Sequence, residues 1–302
     1  MLITPMAPPQ AVPIASYFDY MTVDSARRRV YAAHTGNRAL LIVNADTAAI
    51  IGQVRVGPLH GVAIDPDSGF VYTGDGEART VSEVDPSAMK VVASADVPGP
   101  VDAIAYDPAL HRIYADEDDG GRVFVIDSRS MKQTGTIVVP GHHPEYLAID
   151  PKSHRLYQNI ANLNEFVIVD PATLKVLKTV KTPEIDENHP LQIDAGLGHL
   201  YDAGRNGVLS TYDLDGKLLG QTKFHGSFDQ CDVDAREHLL ACAGDGGVTV
   251  FSDGGAAGVS VLGIQAIDRG VHTVGVDDQS RSFWAVWGSQ AGDFIQHFRI
   301  AP

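Results

Sequence analysis

Seven residues that can bind a metal ion or carry a proton recur at nearly equal spacing along the chain. Each lies five positions before an aspartate, and we name them the ring residues: Asp19, His60, Asp102, Glu145, His189, Asp229 and His272. The chain has 38 Asp and Glu and 12 His among 302 residues. Composition alone therefore does not account for an acid or a histidine at all seven equivalent positions. Such a set predicts metal binding or proton transfer.

The three histidines of this set are the predicted metal ligands. His60, His189 and His272 belong to the second, fifth and seventh repeats, so they would surround a common axis. An imidazole reaches about 6 Å from its Cα and can approach an axial ion to a metal–nitrogen distance of about 2.1 Å. Imidazole with carboxylate suits a divalent transition metal, namely Zn, Fe, Mn, Ni or Cu. The alternative is a polar, water-filled channel mouth without an ion.

The four acids of the set are the predicted catalytic residues. Asp19, Asp102 and Asp229 have short side chains that would stop behind the imidazoles and orient their ring N–H groups, or would move protons during catalysis. Glu145 is one methylene longer and can be a fourth metal ligand or a general base. Four neighbouring acids repel one another unless cations or shared protons offset their charge, which also favours a metal.

Loops predicted at the same end of the repeats supply candidate substrate contacts. His143 and His225 lie just before the fourth and sixth inner strands, and Arg38 and Arg205 lie in or beside loops between second and third strands. An arginine can hold a substrate carboxylate through two parallel hydrogen bonds. The alternative for each of these residues is an ordinary solvated surface position.

The element that must position these residues is a repeat. A short apolar run ends in an aspartate seven times, at intervals of 40 to 44 residues: Asp24, Asp65, Asp107, Asp150, Asp194, Asp234 and Asp277. This is the period of a four-stranded propeller blade, and frequent turn residues favour short strands over helices. We therefore predict an all-β fold, a seven-bladed β-propeller with four-stranded antiparallel blades, as a single domain over residues 1–302. Side chains alternate along a strand, so the residues five, three and one before each aspartate should share one side.

The two ends of the chain are predicted to complete one blade together. The seventh repeat has strands predicted over residues 272–277, 282–287 and 293–300 and lacks an outer strand. Residues 10–16 have no repeat of their own, so we predict that they supply this outer strand and close the ring. Pro13 is tolerated there because the outer strand is a sheet edge.

Several of these segments resemble the bacterial YVTN-repeat (YncE-like) seven-bladed β-propeller family. They are residues 18–21 (Phe-Asp-Tyr-Met), 60–63 (His-Gly-Val-Ala), 101–104 (Val-Asp-Ala-Ile), 144–145 (Pro-Glu) and 169–173 (Val-Asp-Pro-Ala-Thr). The resemblance covers essentially the whole chain and implies the propeller fold. It implies little about activity, because that family includes binding scaffolds.

Charge and hydropathy restrict the partners and the location of the protein. The net charge of −15 disfavours nucleic acids and anionic membranes, since binding phosphate requires clustered Lys or Arg. No apolar run approaches the length of a membrane span. Residues 1–16 lack the basic and apolar regions of a signal peptide. We therefore expect a cytoplasmic protein, or a periplasmic or secreted one if a leader was removed before Met1.

The chain has two cysteines, Cys231 and Cys242. They flank a predicted turn symmetrically and should lie opposite each other on neighbouring strands. Two small buried thiols are favoured over a cross-strand disulfide.

Together these patterns predict a metal-dependent enzyme that acts on a small molecule at the channel mouth. By analogy with propeller lactonases and lyases, the expected reaction is hydrolysis of a lactone or other ester ring, or a related lyase step. A fold does not determine a function, and two alternatives stay open. One is a non-haem iron or copper oxidase or oxygenase, and the other is a non-catalytic scaffold that binds protein or glycan. The sequence does not predict an oligomeric state.

Overall fold

Seven antiparallel β-sheets arranged in a ring make up the computed structural model, which describes residues 2–224 and 226–302. Each inner strand contacts the inner strand of the next sheet, and the last inner strand contacts the first. The predicted all-β, seven-bladed propeller with four-stranded blades is confirmed.

The strands are numbered in chain order. Two short strands, β1 (Ile3–Pro5) and β2 (Gln10–Val12), precede blade 1, which contains β3 (Met21–Asp24), β4 (Arg29–His34), β5 (Ala39–Asn44) and β6 (Ile50–Arg55). Blade 2 contains β7 (Leu59–Ile64), β8 (Val71–Asp75), β9 (Thr80–Asp85) and β10 (Lys90–Asp96). Blade 3 contains β11 (Val101–Asp107), β12 (Arg112–Glu117), β13 (Arg122–Asp127) and β14 (Lys132–Val138). Blade 4 contains β15 (Pro144–Ile149), β16 (Leu156–Ile160), β17 (Glu165–Asp170) and β18 (Lys175–Lys181).

The remaining blades follow the same plan. Blade 5 contains β19 (Asn188–Asp194), β20 (His199–Gly204), β21 (Val208–Asp213) and β22 (Leu218–Lys223). Blade 6 contains β23 (Gln230–Asp234), β24 (Leu239–Gly244), β25 (Gly247–Asp253) and β26 (Val259–Ala266). Blade 7 contains β27 (Val271–Asp277), β28 (Ser282–Ser289) and β29 (Gly292–Ile300). The helices among the described residues are single 3₁₀ turns, Thr35–Asn37, Ala161–Leu163 and Gly255–Ala257, and none of them has the length and apolar character needed to cross a membrane.

The aspartate that defines the repeat builds the turn between the first and second strands of each blade. Asp107 is typical: its Oδ1 accepts hydrogen bonds from the backbone N–H groups of Ala109 (3.0 Å) and Leu110 (3.1 Å). An aspartate side chain that satisfies the backbone two and three residues onward stabilises such a turn. The same oxygen-to-backbone contact, to one or both N–H groups, recurs at Asp24, Asp65, Asp150, Asp194, Asp234 and Asp277. The most regular residue of the sequence therefore has a structural role.

The hydrophobic core is divided among the interfaces between blades. One cluster joins Tyr114 and Val125 of blade 3 to Leu147 and Val167 of blade 4, and similar clusters lie at other blade contacts. Each sheet thereby buries apolar side chains against its neighbours, which is how a propeller obtains a core without a helix.

A β-bulge near the start of the inner strands changes which side chains face the channel. In blade 3 the register shifts between Val101 and Ile104, so the inner strand has one residue more than its partner. The same shift occurs in blades 2, 4, 5 and 7. Ile104 and Leu147, three before the repeated aspartate, are buried between blades, whereas the ring residues are partly exposed. The expectation that positions five and three before the aspartate share one side was wrong, because the extra residue breaks the alternation.

The N-terminal segment completes blade 7. β2 pairs with residues 293–295 of β29, as predicted for residues 10–16, although the strand ends at Val12. β1 extends the same edge by pairing with residues 298–300. An ion pair joins the first and last blades, with Arg28 Nη1 2.7 Å from Asp277 Oδ2.

Cys231 and Cys242 lie directly opposite each other on β23 and β24, as predicted. Their Cα atoms are 4.0 Å apart and the two residues form a disulfide. The preference for free thiols was wrong, because direct cross-strand pairing brings the two sulfur atoms within bonding distance.

Candidate functional site

The seven ring residues meet at one mouth of the central channel. Each lies at the second position of an inner strand or within the two residues that precede the strand. Their side chains are between 13% and 35% exposed. Ion-pair contacts divide them into two groups. The Asp19 group contains Asp19, His60 and Asp102, and the Asp229 group contains Glu145, His189, Asp229 and His272.

The ligand atoms of the Asp19 group lie close enough together to hold a metal ion. His60 Nδ1 donates a hydrogen bond to Asp19 Oδ2 at 2.6 Å and lies 3.5 Å from Asp102 Oδ1. One ligand atom from each residue lies within 4.8 Å of the other two. An ion at the centre of these atoms would be bound by one imidazole and two carboxylates, a donor set that divalent metals accept.

Neighbouring polar side chains fix the two carboxylates. The Tyr20 hydroxyl donates to Asp102 Oδ2 (3.3 Å), and the Gln230 amide donates to Asp19 Oδ1 (3.4 Å). Thr273 in turn donates its hydroxyl hydrogen to Gln230 Oε1. Such outer partners restrict the rotation of ligand carboxylates, so the remaining oxygen lone pairs of the Asp19 group have defined directions.

The Asp229 group is a row of alternating acids and imidazoles. His189 bridges two acids, with Nδ1 3.1 Å from Glu145 Oε2 and Nε2 3.3 Å from Asp229 Oδ1. His272 Nδ1 lies 2.8 Å from Asp229 Oδ2, and Arg205 Nη2 lies 2.8 Å from Asp229 Oδ1. Asp229 is therefore surrounded by three nitrogen-bearing side chains.

The structure does not bring the three imidazoles together around one ion. Among the described residues, the set of three whose ligand atoms lie mutually within 4.8 Å contains His60 and no other histidine. His189 and His272 instead contact Asp229. Asp19 and Asp229 each lie beside a ring nitrogen, 2.6 Å from His60 Nδ1 and 2.8 Å from His272 Nδ1. That the short carboxylates orient the imidazoles stays a prediction.

Burial and charge shift the pKa values of the Asp19 group. Burial raises the pKa of Asp102, and the nearby charge of Asp19 raises it further. Burial lowers the pKa of His60, but the hydrogen bond to Asp19 and the charges of both aspartates outweigh it, and the net shift is upward. Two carboxylates that share one small site disfavour joint ionisation, and a bound cation relieves that repulsion.

The two acids of the Asp229 group have pKa values that are shifted in opposite directions. Burial, reinforced by the charge of Asp102, raises the pKa of Glu145, and burial lowers the pKa of His189. Burial would also raise the pKa of Asp229, but its contacts with His272 and with the charges of His189 and Arg205 lower it overall. At neutral pH this favours a protonated Glu145 beside a neutral His189 and an ionised Asp229.

Of the loop residues predicted to contact a substrate, one lies against the ring residues and two pair with other loop residues. Arg205 contacts Asp229 directly. Arg38 pairs with Glu77 at 2.8 Å, and His143 pairs with Asp119 at 2.9 Å. Each of these two ion pairs is exposed. His225 lies outside the described residues.

Sequence reasoning missed Tyr20, Gln230 and the buried Asp116. Tyr20 and Gln230 each follow a ring residue directly in the sequence, so adjacency to the ring residues was an available signal. Asp116 lies on the second strand of blade 3, where its carboxylate accepts hydrogen bonds from the Ala103 backbone (2.7 Å) and the Gln158 amide (3.1 Å). Nothing in the repeat pattern marks that position.

Comparison with known proteins supports the fold. The structure is similar to that of hydrazine synthase from Kuenenia stuttgartiensis, with a TM-score of 0.78 and 15% sequence identity over 95% of this chain and 97% of that chain. At this identity the similarity concerns the fold alone. No protein-family model matches the chain, and no curated protein sequence matches it. The resemblance to YVTN-repeat propellers is therefore supported in its fold, and membership of that family stays a prediction.

Proposed function

We propose that the channel mouth is the active site of a metal-dependent enzyme, in which the Asp19 group binds a divalent cation. The observation that carries this proposal is the mutual approach of Asp19, His60 and Asp102, one ligand atom from each within 4.8 Å of the others. The donor set of one imidazole and two carboxylates suits Mn, Fe or Zn. Such an ion would polarise a substrate carbonyl or lower the pKa of a bound water.

The reaction that this arrangement supports best is the opening of a small lactone or related ester ring, or a lyase step on a similar substrate. Such a reaction requires a proton for the departing oxygen. Glu145 is suited to donate it, because burial and neighbouring charge favour its protonated form at neutral pH. His189 lies 3.1 Å from Glu145 and can return a proton to it. Arg205, about half exposed beside Asp229, is placed to hold a substrate carboxylate.

A second candidate is an iron-dependent oxidase or oxygenase. It would use the same mixed set of imidazole and carboxylate ligands, which differs from the set of two imidazoles and one carboxylate that is typical of non-haem iron sites. Turnover that consumes oxygen and requires iron would distinguish it from hydrolysis.

Metal binding is tested by calorimetric titration of chelator-treated protein with Mn²⁺, Zn²⁺ and, under anaerobic conditions, Fe²⁺. We expect one ion per chain in the parent protein and loss of that binding in His60→Ala. His238→Ala is the matched control, because His238 Nδ1 forms a similar contact with Asp194 (2.7 Å) at the opposite end of the channel. Absence of binding by the parent protein, or equal binding in both variants, would contradict the metal site and leave a non-catalytic scaffold as the better interpretation.

Catalysis is tested by incubating the metal-loaded protein with a panel of five- and six-membered lactones and following proton release. Glu145→Gln should retain the metal and lose most of the activity. A panel without turnover in any metal form would count against the hydrolase.

A further inference from the structure

One level of the inner strands, two residues before the repeated aspartates, carries a single acidic side chain. The residues two before the repeated aspartates are uncharged in six blades, and the seventh is Asp232: Thr22, Ala63, Ala105, Ala148, Gln192, Asp232 and Gly275. Because equivalent positions of a repeat share one environment, Asp232 is a local departure from an uncharged lining.

The Asp232 carboxylate is fixed in place but has no cationic partner. Its Oδ1 accepts the backbone N–H of Val233 (2.9 Å) and its Oδ2 that of Val276 (2.7 Å). Within the part of the chain that the structure describes, no Lys, Arg or His nitrogen lies within 4.0 Å of it. Burial raises the pKa of Asp232 to about 6, so the group carries a negative charge at neutral pH. An unpaired charge in a partly buried place is costly unless a ligand neutralises it.

A cavity of about 450 Å³ leads to this carboxylate from the opposite mouth. Its walls combine polar side chains with apolar ones, and the apolar ones include Ile64, Tyr106, Val233 and Val276. This volume falls in the range of small-molecule sites. A second cavity of about 70 Å³, lined by Tyr20 and Tyr146, also contacts Asp232 and lies between this cavity and the ring residues. The described lining of the larger cavity includes none of the ring residues.

The charged groups around this mouth favour a cation as ligand. Arg27 lines the cavity, but its guanidinium already contacts Asp24 (3.2 Å) and the carbonyl oxygens of Pro66 and Asp67. Asp278 adds a second negative charge to the lining. The free charge in the cavity is therefore negative.

We propose that this cavity binds an organic ammonium ion, with Asp232 as its anionic partner and the apolar side chains of Ile64, Val233 and Val276 in contact with its alkyl part. Tyr106 can add a cation–π contact, and the Thr22 hydroxyl can accept a hydrogen bond from the ammonium group. A Ca²⁺ or Mg²⁺ ion fits less well, because such ions require six or more oxygen ligands and both oxygens of Asp232 already accept backbone N–H groups. This inference is independent of the function proposed for the other mouth.

The test is calorimetric titration of the full chain with methyl-, butyl- and hexylammonium chloride at pH 8. We expect saturable binding that strengthens from methyl to butyl, and no binding of 1-butanol at the same concentration. Asp232→Asn should weaken butylammonium binding by about tenfold or more, because it removes the charge partner. The matched control Asp278→Asn changes an acid at the rim and should alter the affinity by less than the Asp232 variant.

If Asp232→Asn does not fold, Val233→Phe provides a second variant, since it narrows the cavity while leaving the carboxylate in place. It should weaken hexylammonium more than methylammonium. Binding of 1-butanol as strong as that of butylammonium, binding unchanged in both variants, or stoichiometric binding of Ca²⁺ in place of the amines would overturn the proposal.

Discussion

At the scale of single residues, sequence predicts the types of side chain at the mouth but not how they pair. His60 and His189 occupy equivalent positions in two blades, yet His60 donates to Asp19 and His189 bridges Glu145 and Asp229. The repeat fixes the level of each side chain on the axis. Its partner depends on side-chain rotation and on a local bulge, which leave no mark in the spacing. The residue types could therefore be predicted, whereas the grouping of Asp19, His60 and Asp102 as the candidate metal site could not.

Gln230 is expected to act as a positioning residue for metal binding. Its amide donates to Asp19 Oδ1, so Gln230→Ala frees the carboxylate to rotate and should weaken metal affinity by about 10- to 100-fold. Titration calorimetry measures this effect. Gln192→Ala is the control, because that amide donates to Tyr146 and to the Cys231 carbonyl. Equal affinities in the parent protein and Gln230→Ala would show that the contact does not position the ligand.

His297 is expected to make stability depend on pH. It is buried, stacks on Trp284 with ring centroids 4.2 Å apart and contacts the Ser282 hydroxyl. Burial lowers its pKa to about 4, against about 6.5 in the unfolded chain. The folded form resists protonation, so this stability is fully present above pH 6.5 and is lost as the pH falls toward 4.

Urea unfolding at pH 7 and pH 4.5 tests this role of His297. Between pH 7 and pH 4.5, the free energy of unfolding of the parent protein should fall by about 2 to 3 kcal/mol more than that of His297→Phe. The comparison between proteins cancels the titration of the other groups. An equal loss in both would assign the acid sensitivity to other residues.

At the scale of elements, the strands and turns could be predicted from the sequence because they repeat. Each turn aspartate recurs every 40 to 44 residues and satisfies the backbone of a turn, so its spacing reports the fold directly. The bulge could not be predicted, because an extra residue such as Asp102 or Ala103 in an inner strand changes neither the apolar pattern nor the spacing of the turn aspartates. The same is true of Asp116, whose buried partners come from other strands.

Asp107→Ala should destabilise the protein more than removal of a hairpin aspartate. Asp107 holds two backbone N–H groups and contacts His154 of the next blade at 3.0 Å. The loss in the free energy of unfolding is expected to be about 2 kcal/mol, because two backbone donors and the His154 ring lose the acceptor that the buried Asp107 provides. The control Asp85→Ala removes a similar but exposed turn contact and should have a smaller effect. Chemical denaturation measures both, and equal losses would argue against the contact between blades.

At the scale of the whole molecule, closure of the ring joins residues from the two ends of the sequence. The outer strand of blade 7 was predictable because the seventh repeat lacked one. That the strand is split into β1 and β2 was not predictable, since residues 3–5 carry no repeat signal. The sequence pattern favoured free thiols over the disulfide, although it predicted the cross-strand position of Cys231 and Cys242.

Ile3 is expected to contribute strongly to this closure. It is 4% exposed and packs in a core cluster with Phe298 and Ile300. Ile3→Ala should lower the free energy of unfolding by about 2 to 5 kcal/mol. The neighbouring Leu2→Ala, at a site 47% exposed, should lower it little. Thermal unfolding of the two variants provides the comparison. A similar melting temperature for both would mean that β1 adds nothing to the ring.

Closure also determines how the molecule would respond to mechanical force. Ile3 lies opposite Ile300 in an antiparallel pair, so tension applied to the two ends acts on directly facing residues. The load would fall on one pair of hydrogen bonds at a time, and β1 and then β2 would peel from β29 in sequence. Strands pulled along their length share the load among all their bonds, whereas this geometry does not. The same edge that seals the ring is therefore the place where a modest pull would open it.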